Sequence, residues 1–247
     1  MNLRILNWNV EWRQRHIPDV LRQLAPDIIC LTEGRPQNIP FEAGRIITSQ
    51  PYSPAAPDET KCKVVMWSRW GWSNVDAVGS PDLPEARFVA AQTTPPHQPP
   101  LTIMGVVIPY QFYRTDPRWG EQRLRVWQGT ERYLTVLTDL LKQPGYRQHT
   151  IVVGDFNLEI PRRRRTPIKL DQLRQTAFDG WMIPTSGDQR QWAVHYVDAP
   201  THQAKIGPTA IDHLAHTPDF ALREIWRWSR YKADGTRLSD HDGMVVT

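Results

Sequence analysis

The chain has 247 residues, enough for one large domain with a substantial core or for two small ones. Its 40% apolar and 23% charged residues are typical of a globular protein and exclude a largely disordered chain. The formal net charge of +4 favours an anionic partner over a cationic one.

The two cysteines, Cys30 and Cys62, are too few for a disulfide framework or a zinc site. Cys30 lies in the apolar run DIICL, which predicts a buried free thiol. The first residues lack a signal-peptide pattern, and no apolar run approaches the roughly 20 residues of a membrane span. We therefore expect a monomeric, cytoplasmic protein that does not associate with membranes.

Strand patterns alternate with amphipathic helical patterns along the chain. Helices are predicted at 16–26 and at roughly 120–142, the first ended by proline and the second by Pro-Gly. Strands are predicted at 3–10, 27–33, 63–70, 86–92, 101–110, 149–157, 191–197, 210–216, 222–228 and 243–246. Without an internal repeat or a long linker, we expect a single α/β domain over residues 1–247, with mixed sheets.

The first strand has an unusual pattern of side chains along one face. Alternate residues of an extended chain share a face, so Leu3 and Ile5 are expected to point the same way as Asn7, Asn9 and Glu11. A strand that begins by burying apolar side chains therefore ends in amides and a carboxylate.

Other predicted strands end or begin in the same way. The polar residues at their ends are Glu33, Asp155, Asn157, Asp212 and the group SDHDG at 239–243. In α/β folds, sites gather where strands run out into loops. Converging carboxylates repel one another unless a cation lies among them, and oxygen donors suit Mg²⁺ or Mn²⁺.

The segment GDFN has two interpretations. Gly154 allows a close approach or a sharp turn, and Asp155 and Asn157 share a face if the chain stays extended. An acceptor beside an amide suits a hydrolytic water next to a phosphate oxygen. The alternative is that Asp155 and Asn157 simply open a turn after the strand.

Three histidines require interpretation. His241, between two aspartates, is a candidate acid, base or transition-state cation, and the alternative is a charged surface cluster. His213 and His216 are three residues apart but have no Cys or HExxH helix nearby. We expect them to be strand residues rather than zinc ligands.

The order WNVEW, LTE, EARF, GDFN, IDH and SDH resembles the endonuclease/exonuclease/phosphatase superfamily. That superfamily includes AP endonucleases, pancreatic-type deoxyribonucleases, sphingomyelinases and inositol polyphosphate 5-phosphatases. The resemblance extends over residues 5–246. It implies a four-layer α/β sandwich, with two packed mixed β-sheets flanked by helices, and a phosphodiesterase that uses one or two Mg²⁺ or Mn²⁺ ions.

The resemblance also implies a metal side of the site. Asn9 and Glu33 would lie at the metal, with Glu33 as its principal ligand. Glu11 takes the place of an acidic residue near the metal in AP endonucleases, and Asp240 would be a further carboxylate on that side.

The catalytic side follows from the same resemblance. Asp155 would orient and activate the attacking water, and Asn157 would bind the scissile phosphate. His241 would contact the phosphate or protonate the departing oxygen, held in orientation by Asp212. These residue types match the charge that develops during phosphodiester hydrolysis.

One position departs from the family pattern. Where many relatives carry a His, and AP endonucleases a Tyr, this chain has Val107, which offers no side-chain hydrogen bond. Tyr110 or Tyr113 in the following loop is a candidate replacement, the alternative being that they pack against the fold.

The substrate is predicted less sharply than the chemistry. Nucleic acid is favoured, DNA before RNA, by the net charge and by the arginines and aromatics that follow the predicted strands. The candidate substrate-binding residues are Arg87, Tyr110, Tyr113, Arg114, Trp119 and Arg163. For Arg87 the alternative is a surface arginine at a strand edge, and for the run at 162–165 a solvated loop. The alternative functions are hydrolysis of a lipid or inositol phosphate and non-catalytic binding on the same scaffold.

Overall fold

The computed structural model describes residues 3–51, 60–114, 123–162, 165–185, 193–197 and 211–247. The helices are α1 (Ile17–Leu24), α2 (Gln128–Leu141) and α3 (Ile168–Ala177), with single 3₁₀ turns at Pro36–Asn38, Ala43–Arg45 and Pro144–Tyr146. The strands are β1 (Ile5–Asn9), β2 (Ile28–Gly34), β3 (Ile46–Thr48), β4 (Cys62–Ser68), β5 (Ser73–Asp76), β6 (Phe88–Thr93), β7 (Leu101–Val107), β8 (Thr150–Asp155), β9 (Ala193–Val197), β10 (Asp212–His216), β11 (Glu224–Trp228) and β12 (Gly243–Val246).

The described strands form two mixed sheets. Seven strands are arranged in the order β3-β4-β2-β1-β12-β11-β9, and five in the order β10-β8-β7-β6-β5. The parallel neighbours are β1 with β2, β9 with β11, and β7 with β8, and all other pairs are antiparallel.

Three apolar clusters separate four layers. Between the sheets, Ile5 and Cys30 pack with Ile103 and Val153. Outside the seven-stranded sheet, α1 packs on the other faces of β1 and β2, and outside the five-stranded sheet α2 and α3 cover β7 and β8. Because both faces of the central strands are covered, β7 reads as the near-continuous apolar run LTIMGVV. The predicted four-layer sandwich is confirmed.

Most predicted elements are present, and the differences have local causes. The second helix begins at Gln128 rather than near 120, and part of that predicted region lies outside the described residues. The sequence reading missed the helix α3, of which only Leu170 and Ala177 are buried, and the short edge strands β3 and β5. Each of these elements is stabilised by a neighbouring element, so it carries a weak apolar pattern of its own.

The buried free thiol predicted at Cys30 is confirmed, and Cys62 is also buried and free. Within the described residues, no helix is long and apolar enough to cross a membrane.

The face of β1 that meets the other sheet changes from apolar to polar along its length. Ile5 packs in the core between the sheets, while Asn7 donates hydrogen bonds from Nδ2 to the carbonyl oxygens of Gly154 (3.1 Å) and His213 (3.3 Å). The predicted alternation is confirmed as far as Asn9, where β1 ends. Asn7 therefore ties the two sheets together directly below the place where the polar strand ends meet.

Candidate active site

Two buried aspartates face each other on neighbouring strands of the five-stranded sheet. Asp155 at the end of β8 is paired with Asp212 at the start of β10, and the two residues are 3% and 7% exposed. The antiparallel register fixes their backbones side by side. Two carboxylates are thus held together where water screens them poorly.

The backbone at the end of β8 turns sharply after Asp155. Gly154 has a φ of 146°, and a Cβ atom there would lie 2.0 Å from the carbonyl oxygen of Val106, so only glycine fits. Asp155 Oδ1 accepts a hydrogen bond from the backbone N–H of Asn157 at 2.8 Å, and Asn157 has a φ of 50°. Asp155 and Asn157 therefore do open a turn after the strand, and the assumption that the chain stays extended to Asn157 is wrong.

His241 is paired with Asp212. The distance between His241 Nδ1 and Asp212 Oδ2 is 2.5 Å, and the imidazole is 14% exposed. Burial acts to lower the pKa of His241, but the charge and hydrogen bond of Asp212 outweigh it and raise that pKa to about 10. His241 is thus a cation at neutral pH, held by a buried carboxylate.

The loop that carries His241 is anchored on β1. Ser239 Oγ donates to the carbonyl oxygen of Asn9 at 2.5 Å, and Trp8 Nε1 donates to the carbonyl oxygen of His241 at 3.2 Å. Trp8 is fully buried on the α1 side of the sheet, as its position in the strand predicts. The segment SDH is therefore positioned by the first strand, although more than two hundred residues separate them.

The pKa of Asp155 is raised to about 7, first by burial and then by the negative charge of Asp212, against the opposing charge of His241. Asn9 contacts the same carboxylate, since its Nδ2 donates to Asp155 Oδ2 at 3.2 Å. A carboxylate with this pKa can exchange a proton near neutral pH, which is what a general base requires.

Glu33 lies near the end of β2 in the seven-stranded sheet and is paired with a lysine that the sequence reading missed. Lys63 Nζ lies 2.6 Å from Glu33 Oε1, and the two side chains are 8% and 24% exposed. The signal in the sequence is a lysine at the start of the apolar strand KVVMW, in a register that only the sheet pairing reveals.

Two other residues of the predicted metal side lie nearer the surface. Glu11 follows the end of β1 and forms ion pairs with Arg13 (2.9 Å) and Arg237 (2.7 Å). Its φ of 50° shows that the extended alternation expected from Asn9 to Glu11 does not hold. Asp240 has a side chain that is 44% exposed, with Oδ1 3.8 Å from His241 Nε2.

Val107, the strand position expected to lack a side-chain hydrogen bond, lies beside Asp155. Val107, 1% exposed, is the neighbour of Asp155 in the parallel pair of β7 and β8. Asn157 Nδ2 donates to the carbonyl oxygen of Ile108 at 2.9 Å. The tip of β7 therefore supports the turn after Asp155 through its backbone.

Arg87 is buried, not a surface arginine at a strand edge. It is 3% exposed, and its guanidinium carbon lies 4.5 Å from the centre of the Tyr113 ring. Tyr110 is 47% exposed in the same loop, next to exposed Phe112, and Arg114 is half-buried. Trp119 and Arg163, also predicted to bind substrate, lie outside the described residues.

His213 and His216 are buried strand residues whose rings form hydrogen bonds within the fold. His213 is fully buried, with Nδ1 3.1 Å from Thr185 Oγ1 and Nε2 3.0 Å from the carbonyl oxygen of Leu158. Burial lowers the pKa of His213 to about 4. Its two ring nitrogens are used within the fold, which agrees with the prediction that it is a strand residue.

The cluster has the donors that a hard divalent cation prefers. Among the described residues, Asp155, Asp212 and His241 bring one potential ligand atom each to within 4.8 Å of one another, but His241, as an imidazolium, has no lone pair for a metal, so the two carboxylates are the donors. Asp212 Oδ1 is buried and has no hydrogen-bond partner in the described part of the chain. An unpartnered carboxylate oxygen beside a second buried carboxylate fits Mg²⁺ or Mn²⁺ better than a softer metal.

Solved structures with this arrangement of layers are similar over nearly their whole length. An AP endonuclease from Archaeoglobus fulgidus has a TM-score of 0.69 at 15% identity, covering 99% of this chain and 98% of that one. D. rerio TDP2 complexed with a single-strand DNA product has a TM-score of 0.64 at 18% identity, with the same coverage. A mannosyl-6-phosphatase from Bacteroides thetaiotaomicron has a TM-score of 0.63 at 11% identity, again covering 99% and 98%. At these identities the likeness shows the fold alone.

Two packed mixed sheets with buried carboxylates and a cationic histidine at their strand ends define a class of phosphoric ester hydrolases. The chain belongs to the endonuclease/exonuclease/phosphatase family, whose model matches residues 6–241. Members of this family are metal-dependent hydrolases of phosphoric esters, and this chain is an enzyme of that class. No curated protein matches the chain.

Proposed function

We propose that the chain, acting as one domain, hydrolyses phosphodiester bonds in nucleic acid with the help of Mg²⁺ or Mn²⁺. The observation that carries the proposal is the buried arrangement of Asp155, Asp212 and His241, which brings a carboxylate of raised pKa on the five-stranded sheet close to an imidazolium in the loop before β12 of the other sheet. This is the combination that hydrolysis needs: a base for the water and a cation for the phosphate.

In the proposed reaction a water attacks phosphorus and gives its proton to Asp155, which Asn9 and the Asn157 amide hold in orientation. His241 acts where negative charge develops, on the phosphate and on the departing oxygen. Its Nδ1 is held by Asp212, so Nε2–H is the group that donates to a phosphate oxygen or to the departing oxygen. The departing oxygen takes its proton from His241, so the products are a phosphate monoester and an alcohol. The proton taken by Asp155 returns to solvent, and solvent reprotonates His241, which restores both groups.

Glu33, Asn9 and Asp240 are the residues we assign to the metal, with Glu11 at a greater distance. A bound divalent ion supplies stabilisation for the negative charge that develops on the phosphate oxygens. One ion or two would suit the donor set.

Nucleic acid is the substrate class we propose because charge and aromatic surface lie together beside the site. Buried Arg87 stacks on Tyr113, and Tyr110 and Phe112 of the same loop are exposed, as a surface for stacking bases would require. The A. fulgidus and D. rerio proteins are, by their descriptions, an AP endonuclease and a protein with single-strand DNA bound. We favour DNA over RNA.

A second candidate is hydrolysis of a phosphate monoester or of a lipid or inositol phosphate. Buried Lys63 and Arg87 favour it, because a monoester dianion carries more charge than a diester and would benefit from two cations. The B. thetaiotaomicron neighbour is described as a mannosyl-6-phosphatase.

The test is a cleavage panel with the full chain. Abasic duplex DNA, plain single- and double-stranded DNA, RNA, a lipid phosphodiester and a sugar monophosphate are each incubated with Mg²⁺ or with EDTA. We expect Mg²⁺-dependent cleavage of at least one DNA substrate. Cleavage of the monoester or lipid alone would favour the second candidate, and cleavage of none would contradict both.

A further inference from the structure

Lys63 and Glu33 are opposite each other on adjacent antiparallel strands. Val64 is paired with Thr32 and Cys62 with Gly34, so the residue between them on β4 faces Glu33 on β2. Directly opposite residues of an antiparallel pair lie on the same face. The register of the flanking pairs therefore brings the two residues together, while Glu33 itself, with a φ of 50°, departs from extended backbone.

The side chain of Lys63 is buried in the described part of the structure. Its side chain is 8% exposed, and Nζ lies 5.1 Å from the centre of the Trp12 ring as well as 2.6 Å from Glu33 Oε1. A buried ammonium is costly unless a charged partner compensates it. Glu33 thus supplies the negative charge that compensates the buried ammonium of Lys63.

Charged groups besides Glu33 also act on the ammonium of Lys63. Arg87 is close enough to act against its positive charge, while Glu33 and Asp155 act in its favour. The ammonium therefore lies within electrostatic reach of Glu33, which was assigned to the metal above, and of Asp155, the proposed base. A divalent cation arriving at Glu33 meets a positive charge that is already bonded to one of its two oxygens.

We propose that Lys63 is a resident counter-ion of Glu33, which holds this carboxylate in place in the metal-free protein and competes with the metal for it. The inference rests on the proposed function only in assigning Glu33 to the metal. Two consequences follow. Without Lys63 the metal-free protein has a partly buried carboxylate that has lost its ion-pair partner, and it is less stable. With the competing charge removed, a divalent ion binds more tightly.

The experiment measures stability and Mn²⁺ binding, so it needs no substrate. Wild type, Lys63→Met and the control Lys169→Met are unfolded by heat in EDTA and in a series of Mn²⁺ concentrations, and Mn²⁺ affinity is measured by calorimetry. Lys169 is a matched control because its ion pair with Glu131 (2.8 Å) lies on the helical surface, where Lys169 is 66% exposed. It loses the same charge outside the site.

For Lys63→Met we expect a Tm in EDTA at least ~4 °C below wild type, recovered at saturating Mn²⁺, and Mn²⁺ binding roughly tenfold tighter. Lys169→Met should match wild type in each measurement. A Lys63→Met protein with wild-type Tm and affinity would overturn the proposal. So would a loss of Tm that Mn²⁺ does not recover, since that would indicate packing alone.

A double variant keeps the proposal testable if Lys63→Met does not fold. Lys63→Met combined with Glu33→Gln removes both charges, so we expect the double variant to fold, to regain the lost Tm in EDTA and to respond weakly to Mn²⁺. Failure to regain stability would overturn the counter-ion role. Wild-type protein that binds Mn²⁺ as proposed but cleaves none of the phosphoesters would contradict the proposed function and leave this inference standing.

Discussion

The candidate site has two carboxylate–cation pairs, with the carboxylate of each on a different sheet, and they differ in how the cation is held. The Asp212–His241 pair (2.5 Å) raises the pKa of its imidazole, whereas in the Glu33–Lys63 pair (2.6 Å) burial and Arg87 lower the pKa of the ammonium. Similar distances thus accompany opposite shifts. Under the function proposed above, the first pair would keep its proton for the reaction, and the second would be the one whose carboxylate a metal takes.

Asp155 contributes to both pairs, because its negative charge favours the charged forms of His241 and of Lys63. We therefore expect the largest effect from Asp155→Asn, a loss of at least ~10²-fold in kcat as general-base catalysis is removed. The measurement is the initial rate of DNA cleavage at saturating Mg²⁺. A rate near that of wild type would show that Asp155 is not the base.

Replacing the imidazole tests the first pair alone. His241→Ala should lower kcat about 10²-fold, because the cation that faces the developing charge is lost. Folding is checked by circular dichroism, and Lys169→Met serves as the control because it changes a charge outside the candidate site. If His241→Ala changed only KM, the histidine would contribute to substrate binding and not to the transition state.

The pH dependence of stability sharpens the contrast between the pairs. The pKa of His241 is raised from its ordinary value of 6.5 to about 10, so the pair's full contribution is present below pH 6.5 and is lost as the pH rises through 10. In EDTA, His241→Gln should unfold roughly 5 °C below wild type at pH 6, since it leaves Asp212 buried and unpaired. The difference should shrink steadily towards pH 10.

Thermal denaturation between pH 6 and 10.5 checks this expectation. A difference in Tm that stays constant over the range would mean that His241 stabilises the loop through packing, without its charge.

The smallest effect is expected at Glu11, outside both pairs. Its ion pairs with Arg13 and Arg237 are partly exposed, so Glu11→Gln should change kcat and Mn²⁺ affinity by less than ~3-fold. A larger loss of Mn²⁺ affinity, measured by calorimetry, would assign Glu11 to the metal directly.

The fold was largely predictable from the sequence because its strands are strongly patterned. The alternation in β1 correctly put Ile5, Asn7 and Asn9 on one face, and it failed at Glu11 only because the strand ends at Asn9. The helix α3 was missed because few of its side chains are buried.

The Glu33–Lys63 pair was unpredictable for a different reason. Lys63 faces Glu33 only through the pairing of two strands that are thirty residues apart, and no local pattern carries that register. The burial of Arg87 depends in the same way on Tyr113 of a distant loop. Contacts of this kind are properties of the assembled sheet.

The most direct test of the proposed function compares kcat/KM for a single-stranded DNA and for a sugar monophosphate, each with Mg²⁺ and with EDTA. The account predicts that DNA has the higher kcat/KM and that EDTA abolishes its cleavage. A higher kcat/KM for the monoester, or DNA cleavage that persists in EDTA, would contradict it.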